Sequence, residues 1–454
     1  MTLLDVSFPP KDMCLAPWTH TYLSPQSERR LCCASREPAT NFTQYIDTAS
    51  TTGAYKPSTL VEHWNSSHMK DVRVRMMAGE TLPECAVCDK KLLNTSVYKD
   101  YFNSMFKQKR ASVLAATDAD GTHNGLPVSF DYRITNVCTF KCRMCGPMLS
   151  SAWEAEERKE NPAFELNNPW AVEPNRSAIR TFQTGQAADE LWAAAMEGRL
   201  EEIYWVGGEP LDWPLHWNLM KYLVDTDQAK NVFVRYNTNL NRISYKNNLH
   251  LVTLLKEFRG WQICASIDGI GVVGEYIRTG LKFDDWLENI AVIRNNQGNN
   301  GQYGHPTSNG ELLFDLTLTL PGLVHIDGII DLVRYHEVKL LTKVVFAFSP
   351  DIIMSPMALP RNLLDELIDD ALGQIEYVVT HNPNVKPLIQ SLVDTLENMK
   401  TRPTFAEEYP EDQVMLGLWQ GKARMQELDE RRGSIGMPIV LKKRPHIREW
   451  YDGI

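Results

Sequence analysis

The sequence has no long hydrophobic run: its 454 residues contain no stretch of about 18 consecutive apolar residues, the length that spans a bilayer. Residues 1–14 lack a basic flank followed by an apolar run, so they do not predict a signal peptide. Positive charge is also scarce, with 47 Lys and Arg against 57 Asp and Glu and a net charge of −10. We therefore expect a cytoplasmic protein that does not span a membrane and does not bind nucleic acid as its main partner.

No phosphate-binding P-loop, Rossmann glycine signature or internal repeat occurs either. Hydrophobic residues make up 43% of the chain, enough for a sizeable core in about two to four domains or in one barrel with appendages. The sequence does contain nine cysteines, most of them in clusters. Without an export signal, clustered cysteines indicate metal ligands rather than disulfides.

The most informative stretch is Cys138-Thr-Phe-Lys-Cys142-Arg-Met-Cys145. Three thiols at this spacing can ligate three irons of a [4Fe–4S] cluster from a single loop. The fourth iron would then be open to a substrate or cofactor. The spacing alone leaves two alternatives: a zinc site missing its fourth ligand, or three buried thiols.

This loop resembles the cluster loop of the radical S-adenosylmethionine (SAM) superfamily. The resemblance implies that the amino and carboxylate groups of SAM chelate the open iron, and that an electron from the cluster cleaves SAM to a 5′-deoxyadenosyl radical. It also implies an electron donor such as a flavodoxin or ferredoxin. The family usually has an aromatic residue before the third cysteine, whereas this chain has Met144, whose thioether can pack against an adenine.

Five further cysteines precede the loop in three separate segments: Cys14, the pair Cys32-Cys33, and Cys85-Ala-Val-Cys88. Four of them could ligate a second [4Fe–4S] cluster or a tetrahedral zinc, and ligand chemistry alone does not choose between these. The surrounding segments, CLAPW from Cys14 and MAGE before Cys85, resemble the twitch (half-SPASM) module, which implies an auxiliary [4Fe–4S] cluster. Adjacent side chains point differently, so we expect one ligand from the pair and favour Cys32.

From about residue 126, strand and helix signals alternate as in βα units with a parallel sheet. Six strands are predicted, near Ser129–Thr135, Glu202–Val206, Val232–Asn237, Gln262–Ile267, Leu313–Leu320 and Lys343–Phe348. The expected fold class is α/β, with the partial (β/α)6 TIM-like barrel of the radical SAM type. The cysteine loop follows the first strand, at the carboxyl edge where such sheets hold their sites.

Other motifs after these strands resemble SAM-binding segments of the family. Gly207-Gly208-Glu209-Pro210 follows the second strand, where glycines let a ligand approach the backbone and a carboxylate can hold an ammonium. In the family this motif contacts the methionyl amino group of SAM. The resemblance also assigns cofactor contacts to Asn239, Ser266 and Arg278, and guanidinium–carboxylate pairing gives the arginine a physical reason. The alternatives are a plain turn for GGEP and a solvated helix charge for the arginine.

Alternation along the strands predicts a polar lumen. Arg235, Asn237 and Asn239 share one face of the third strand, while Arg133 and Asp315 take the corresponding faces of the first and fifth. This set suits a polar substrate, or it forms a buried salt-bridge lattice at the barrel floor.

Cys264 shares a strand face with Ser266 and is the one cysteine outside both predicted clusters. A thiol there could return a hydrogen atom to a substrate radical, as in radical SAM epimerases, or it could simply fill the core.

The predicted domains are a twitch module over residues 1–100, a linker over 101–125, the barrel over 126–350 and a helical region over 351–454. Two stretches, Glu154–Gln183 and Asn295–Gly310, interrupt the barrel and are expected to be functional lids or disordered loops. The C-terminal helices, near Pro360–Val379, Lys386–Met399 and Asp412–Arg432, are expected to be cover without chemistry. Met415, Leu418 and Trp419 on the last helix are interpreted as core contacts.

Together the motifs predict a radical SAM oxidoreductase or modifying enzyme acting on a polar substrate, either a peptide or a sugar- or aminocyclitol-like molecule, with oxidation assisted by the auxiliary cluster. No leader-binding domain is evident before Cys14, which disfavours a leader-dependent peptide modifier. One alternative is a redox-neutral epimerase with Cys264 as hydrogen donor. Another is a non-catalytic zinc or iron–sulfur interaction protein, which would have no need of the residues that resemble a SAM site.

Overall fold

The computed structural model describes residues 13–35, 55–89, 97–246, 249–296, 310–345 and 352–454. The chain divides into two compact units. The first comprises residues 1–137, 147–235 and 257–260, and the second comprises residues 138–146, 236–256 and 261–454. The cysteine loop belongs to the second unit, and the GGEP turn belongs to the first.

The strands found in these ranges are, in chain order, β1 His20–Leu23, β2 Arg29–Arg30, β3 Ser129–Tyr132, β4 Lys141–Cys142, β5 Glu202–Trp205, β6 Phe233–Thr238, β7 Ser244–Tyr245, β8 Leu249–His250, β9 Gly260–Ser266, β10 Arg278–Thr279, β11 Gly310–Leu318 and β12 Lys339–Val344. Eight of them form one sheet in the order β12-β11-β9-β6-β5-β3-β1-β2. The six strands from β3 to β12 thus lie side by side in chain order, the arrangement of a partial TIM-like barrel. The predicted fold class is confirmed.

Parallel pairing sets the register of the sheet. In the first unit Ser129 of β3 lies opposite Glu202 of β5, and in the second unit Leu313 of β11 lies opposite Cys264 of β9. Residues on β9 are buried on both faces for most of its length, as expected of a central parallel strand covered by helices.

Two of the strand predictions need correction. The sixth predicted strand is wrong in its bounds, because β12 spans Lys339–Val344 rather than residues 343–348, of which 346–348 lie outside the described residues. The run from Lys339 to Phe348 is apolar almost throughout and carries no turn residue, so only pairing with β11 fixes where the strand lies. The sequence also gave no sign of β1, a four-residue strand that pairs in parallel with β3.

The helices of the described ranges are α1 Ala16–Thr19, α2 Leu60–Trp64, α3 Ser67–Met77, α4 Ala86–Asp89, α5 Val97–Met105, α6 Arg110–Ala115, α7 Ser151–Glu160, α8 Phe164–Asn167, α9 Asn175–Phe182, α10 Ala188–Met196, α11 Pro214–Asp225, α12 Leu251–Leu255, α13 Gly271–Ile277, α14 Phe283–Arg294, α15 Leu320–Val324, α16 Ile326–His336, α17 Arg361–His381, α18 Lys386–Thr401, α19 Phe405–Glu408, α20 Glu411–Arg432, α21 Met437–Val440 and α22 Pro445–Gly453. Among the described residues, none of these helices is long and apolar enough to cross a membrane.

The stretch predicted as a linker, residues 101–125, is mostly folded. It contains the end of α5 and all of α6, and residues that follow them are held by α3. Arg73 of α3 is fully buried and donates hydrogen bonds to the carbonyl oxygens of Pro17, Trp64 and Gly121. One guanidinium thus joins three segments of the first unit through backbone acceptors.

The C-terminal helices agree closely with their predicted bounds, and α20 ends at Gly433, whose φ of 57° suits glycine. The core interpretation holds for Leu418 but is wrong for Met415 and Trp419, which are 49% and 61% exposed. The buried stripe of α20 runs through residues 414, 418, 421, 425 and 428, so the two exposed residues lie one step beside it.

Candidate functional site

The three cysteines of the predicted cluster loop lie within residues 138–146 of the second unit. Cys142 lies in β4, which pairs antiparallel with β10, and its partner across the ladder is Arg278. The N–H of Cys145 donates to the carbonyl oxygen of Cys142 at 3.0 Å. Cys138 and Cys142 are buried, and Cys145 is half-buried. A two-residue ladder and a tight turn therefore fix the backbone between the second and third cysteines.

Nitrogen donors reach the sulfur atoms of this loop. Asn239 Nδ2 lies 3.4 Å from Cys138 Sγ, and Arg278 Nη1 lies 3.8 Å from Cys142 Sγ. Arg278 Nη1 also donates to Asn239 Oδ1 at 2.7 Å, so the two donors hold each other. Hydrogen bonds to ligating sulfurs are one of the means by which proteins set iron–sulfur potentials. Two residues predicted to bind SAM thus contact the thiols predicted to bind the cluster.

Arg278 is buried rather than a solvated helix charge. Its Nε lies 2.7 Å from Asp268 Oδ2, and the two side chains are 9% and 0% exposed. Burial by itself would lower the pKa of Arg278, but the Asp268 carboxylate raises it above its ordinary value. Asp268 also accepts a hydrogen bond from the N–H of Thr317 at 2.9 Å. The guanidinium beside Cys142 is therefore a fixed positive charge.

The GGEP turn lies in the first unit and is tied to the segment that leads into the cysteine loop. The Glu209 N–H donates to the carbonyl oxygen of Val137, the residue directly before Cys138 in the chain, and the Gly208 N–H donates to that of Thr135. Glu209 is buried, and its carboxylate accepts the N–H of Leu211 at 3.0 Å. Gly207 has a φ of 133°, which favours glycine. The motif is thus a rigid turn with its carboxylate inside.

We expect Gly208→Ala to destabilise the protein by about 1–3 kcal/mol, as overpacking does, and to lower its iron content. A Cβ at this position would lie 2.2 Å from the carbonyl oxygen of Val137, so the strand leading to Cys138 must move. Denaturant unfolding and iron analysis measure both effects. Gly146→Ala is the matched control, because no atom lies within 4 Å of its added Cβ. Equal stability of the two variants would contradict the expectation.

The predicted lumen residues are paired with one another. In the second unit, Asp315 accepts hydrogen bonds from Asn237 and Lys343, both at 2.7 Å. In the first unit, Arg235 pairs with Glu202 at 2.7 Å, and Arg133 pairs with Asp131 at 3.0 Å. The salt-bridge lattice that the sequence left as an alternative describes these contacts.

Three other predicted site residues stay predictions in their roles. Met144 is half-buried in the loop, and Ser266 is half-buried at the end of β9, opposite Asp315 in the register. Cys264, two residues earlier on the same strand, is 8% exposed. Its place on the face of Ser266 agrees with the alternation, but burial of this kind suits a small core residue as well as a hydrogen donor.

A salt bridge that the sequence did not reveal fastens the cysteine loop to α20. Arg143, between Cys142 and Met144, is fully buried, and its Nη2 lies 2.6 Å from Asp429 Oδ1 and 2.8 Å from Ser434 Oγ. Its guanidinium also lies over the ring of Tyr276, 3.9 Å from the centroid.

A second arginine holds the other side of the loop. Arg432, at the end of the same helix, donates to the carbonyl oxygen of Lys141 at 2.9 Å. Helix α20 therefore grips the chain on both sides of Cys142, so the expectation that this region is only cover is wrong. An arginine inside the cysteine motif was the available sequence signal.

Four cysteines of the N-terminal segment line one small cavity of the first unit: Cys14, Cys32, Cys85 and Cys88. Cys33 does not line it; its neighbours include Asp131, Arg133 and Tyr98, the last of which forms a hydrogen bond with it. Burial raises the pKa of Cys14 to about 12 and that of Cys33 to about 11. These thiols therefore hold their protons at neutral pH until a metal displaces them.

The fit of both cysteine sets to iron–sulfur clusters depends on their donor chemistry. All nine cysteines lie in the described part of the chain, and none of them forms a disulfide there. Among the described residues, no three His, Cys, Asp or Glu side chains are already arranged as a metal site. The first set has three thiols in one short loop with N–H donors at two sulfurs, and the second has four thiols around one cavity. Thiolates are the usual ligands of [4Fe–4S] clusters, so both sets fit.

The comparison with protein families gives one match, the Radical SAM superfamily, over residues 132–316. That span begins at the end of β3, ends in β11, and contains the cysteine loop, the GGEP turn, Ser266 and Arg278. A search of curated proteins found no match.

Three solved structures illustrate the likeness of fold. SuiB of Streptococcus suis bound to S-adenosylmethionine is 14% identical with a TM-score of 0.34, covering 64% of this chain and 61% of that one. SuiB bound to the precursor peptide SuiA is 12% identical with a TM-score of 0.32, covering 61% and 60%. TYW1 with a lysine–pyruvate adduct is 12% identical with a TM-score of 0.26, covering 52% and 69%. The chain spans about three fifths of the length of SuiB, and scores this low carry no argument about substrate.

Proposed function

We propose that this chain, in which residues 132–316 form a radical SAM superfamily domain, is an enzyme that cleaves SAM and removes hydrogen from a polar substrate. The superfamily implies a [4Fe–4S] cluster and SAM. When bound, these groups supply the electron and the 5′-deoxyadenosyl radical for hydrogen abstraction. The observation that carries the proposal is the cysteine loop, where Asn239 and Arg278 direct N–H groups at the sulfurs of Cys138 and Cys142.

Each part of the site has a definite task in this proposal. Cys138, Cys142 and Cys145 hold the cluster, and the two N–H donors offset the negative charge of the thiolates. The Asp268 carboxylate fixes the orientation of Arg278. For SAM itself we assign Ser266, Met144 and the Gly207–Glu209 turn, whose backbone is anchored to the segment before Cys138.

The N-terminal cysteines are proposed to hold an auxiliary [4Fe–4S] cluster of the twitch type. The shared cavity of Cys14, Cys32, Cys85 and Cys88 supports this set and supports Cys32 over Cys33. Such a cluster would take up the electron left on the substrate after hydrogen abstraction, giving an oxidised product. The substrate class is a peptide or a sugar- or aminocyclitol-like molecule, and a flavodoxin or ferredoxin would supply the first electron. Nine cysteines without a disulfide favour the reducing cytoplasm as the location.

Iron and sulfide analysis, combined with electron paramagnetic resonance, tests both clusters on anaerobically reconstituted protein. We expect about eight irons per chain and a signal that changes when SAM is added. Cys32→Ala should lower the count to about four irons, whereas Cys33→Ala should leave about eight.

The outcomes separate the two parts of the proposal. A wild-type count of about four irons with a SAM-sensitive signal would remove the auxiliary cluster and keep the SAM chemistry. A loss of iron in Cys33→Ala but not in Cys32→Ala would reverse the ligand assignment. A protein whose clusters do not respond to SAM would overturn the enzymatic proposal.

A further inference from the structure

A large cavity of the first unit lies next to the GGEP turn and is lined by none of the residues assigned to clusters or to SAM. Its volume is about 770 Å³, within the range of about 300–1,000 Å³ that small-molecule sites occupy. We propose that this cavity binds a small molecule that carries an oxyanion, a carboxylate or a phosphate, on an apolar body.

The cavity lies where ligand sites of parallel sheets are found. One side of its lining is the chain that follows β3, Ile134 to Val137, and another is the chain that follows the GGEP turn, Asp212 to Leu215. Both segments leave the carboxyl ends of neighbouring strands. Trp213 connects the two motifs, because a Cβ added at Gly207 would lie 3.2 Å from its ring.

The remaining wall is built by the stretch that the sequence presented as an insert. Residues 154–183 were expected to form a lid or a disordered loop, but they fold into α7, α8 and α9. A π-helical turn, Gln183–Ala187, follows directly, and π turns occur frequently at functional sites. Gln183 lines the cavity and donates to the carbonyl oxygen of Pro25 at 2.6 Å, which anchors this turn. The wall is therefore a folded structure.

The buried polar atoms of the wall that lack a partner are all donors. Among the described residues, Trp170 Nε1, Trp213 Nε1 and Arg176 Nε have no hydrogen-bond acceptor, and the two indoles are 8% and 2% exposed. A buried donor without an acceptor is costly, so an occupant that supplies acceptors is favoured. The rest of the lining includes Ile179, Trp192 and Leu215, which suit an apolar or aromatic body.

Positive charge is concentrated on one side of the cavity. Arg158 and Arg176 share a single carboxylate of the lining, that of Glu154, at 3.0 and 3.2 Å. Arg180, one turn after Arg176 on α9, also lines the cavity and forms no ion pair within the described residues. Asp189 and Asp212 line it as well, so we expect the oxyanion on the side formed by α9. Guanidinium groups bind carboxylate and phosphate with paired, charge-assisted hydrogen bonds.

Isothermal titration of the full-length protein in the absence of SAM tests this site with three probes of one shape: 3-phenylpropionate, phenyl phosphate and 3-phenylpropionamide. We expect one saturable site for an anionic probe and binding of the neutral amide weaker by at least about tenfold. The tighter anion identifies the chemistry, carboxylate or phosphate. Equal binding of acid and amide, or no saturable binding of any probe in the millimolar range, would overturn the proposal.

Arginine variants locate the binding. Arg176→Gln should weaken the anionic probe by at least about tenfold, while Arg448→Gln, an exposed arginine in the second unit, should not. If Arg176→Gln fails to fold, Arg180→Gln gives the same test from an exposed position. Unchanged affinity in both α9 variants would place the binding elsewhere and reject the assignment. Because no SAM is present, failure here leaves the proposed enzymatic function untouched.

Discussion

Cys142→Ala is expected to lose SAM cleavage and about four irons per chain. Cys142 is the middle cysteine of the loop, it lies in the short ladder opposite Arg278, and its sulfur receives the Arg278 N–H. Removing it leaves two thiols for a cluster that needs three ligands, and the arginine loses its sulfur acceptor. Iron analysis and chromatography of 5′-deoxyadenosine measure the two losses.

Cys264→Ala is the matched control for iron content, because it also removes one buried thiol but lies outside both predicted ligand sets. Its iron count should equal that of the wild type. Full iron and SAM cleavage in Cys142→Ala would contradict the assignment of the loop. Loss of substrate turnover in Cys264→Ala with SAM cleavage intact would favour the epimerase alternative.

Asp429→Ala is expected to lower the free energy of unfolding by about 3–5 kcal/mol, the cost of leaving a buried charge without its partner. Arg143 is 0% exposed, and Asp429 is its carboxylate partner at 2.6 Å. Asp429 also accepts hydrogen bonds from Ser434 and from the N–H of Met437, so the variant loses the attachment of the chain after α20 as well. Denaturant unfolding measures the change.

The iron content of the same variant decides whether this salt bridge positions the cysteine loop. We expect iron to fall, because Arg143 lies between two of the proposed ligands. Asp452→Ala is the control: it breaks an exposed pair with Arg448 and should cost less than about 1 kcal/mol. A large loss of stability with full iron would make the Arg143–Asp429 pair a structural feature only.

The sequence predicted what depends on short spacing. The cysteine loop, the GGEP turn and the alternation of Arg235 and Asn237 with their neighbours are all readable within a few residues, because ligation and strand faces have short periods. Six of the eight strands of the sheet were predicted for the same reason. The choice between Cys32 and Cys33 could not be made, since two adjacent thiols differ only in what the fold places beside them.

Contacts between distant segments were beyond the sequence. Arg143 and Ser434 are 291 residues apart, and no local pattern pairs them. The bounds of β12 were wrong because an apolar run without a turn residue allows several registers, and β11 selects one. The cavity beside the GGEP turn likewise depends on how α7 and α9 pack, whereas the sequence of that stretch showed only Pro, Asn and charge.

The short strands β1 and β2 have a consequence for solubility. β1 pairs with β3 along its whole length, and β2, only two residues long and both of them arginine, ends the sheet. Short, charged edge strands are a recurrent protection against edge-to-edge aggregation. Deleting the N-terminal segment to remove the auxiliary cysteines would therefore also expose the hydrogen-bonding edge of β3. Precipitation of such a truncated protein would report on the uncovered strand, so point substitutions of the cysteines are the sounder way to study that cluster.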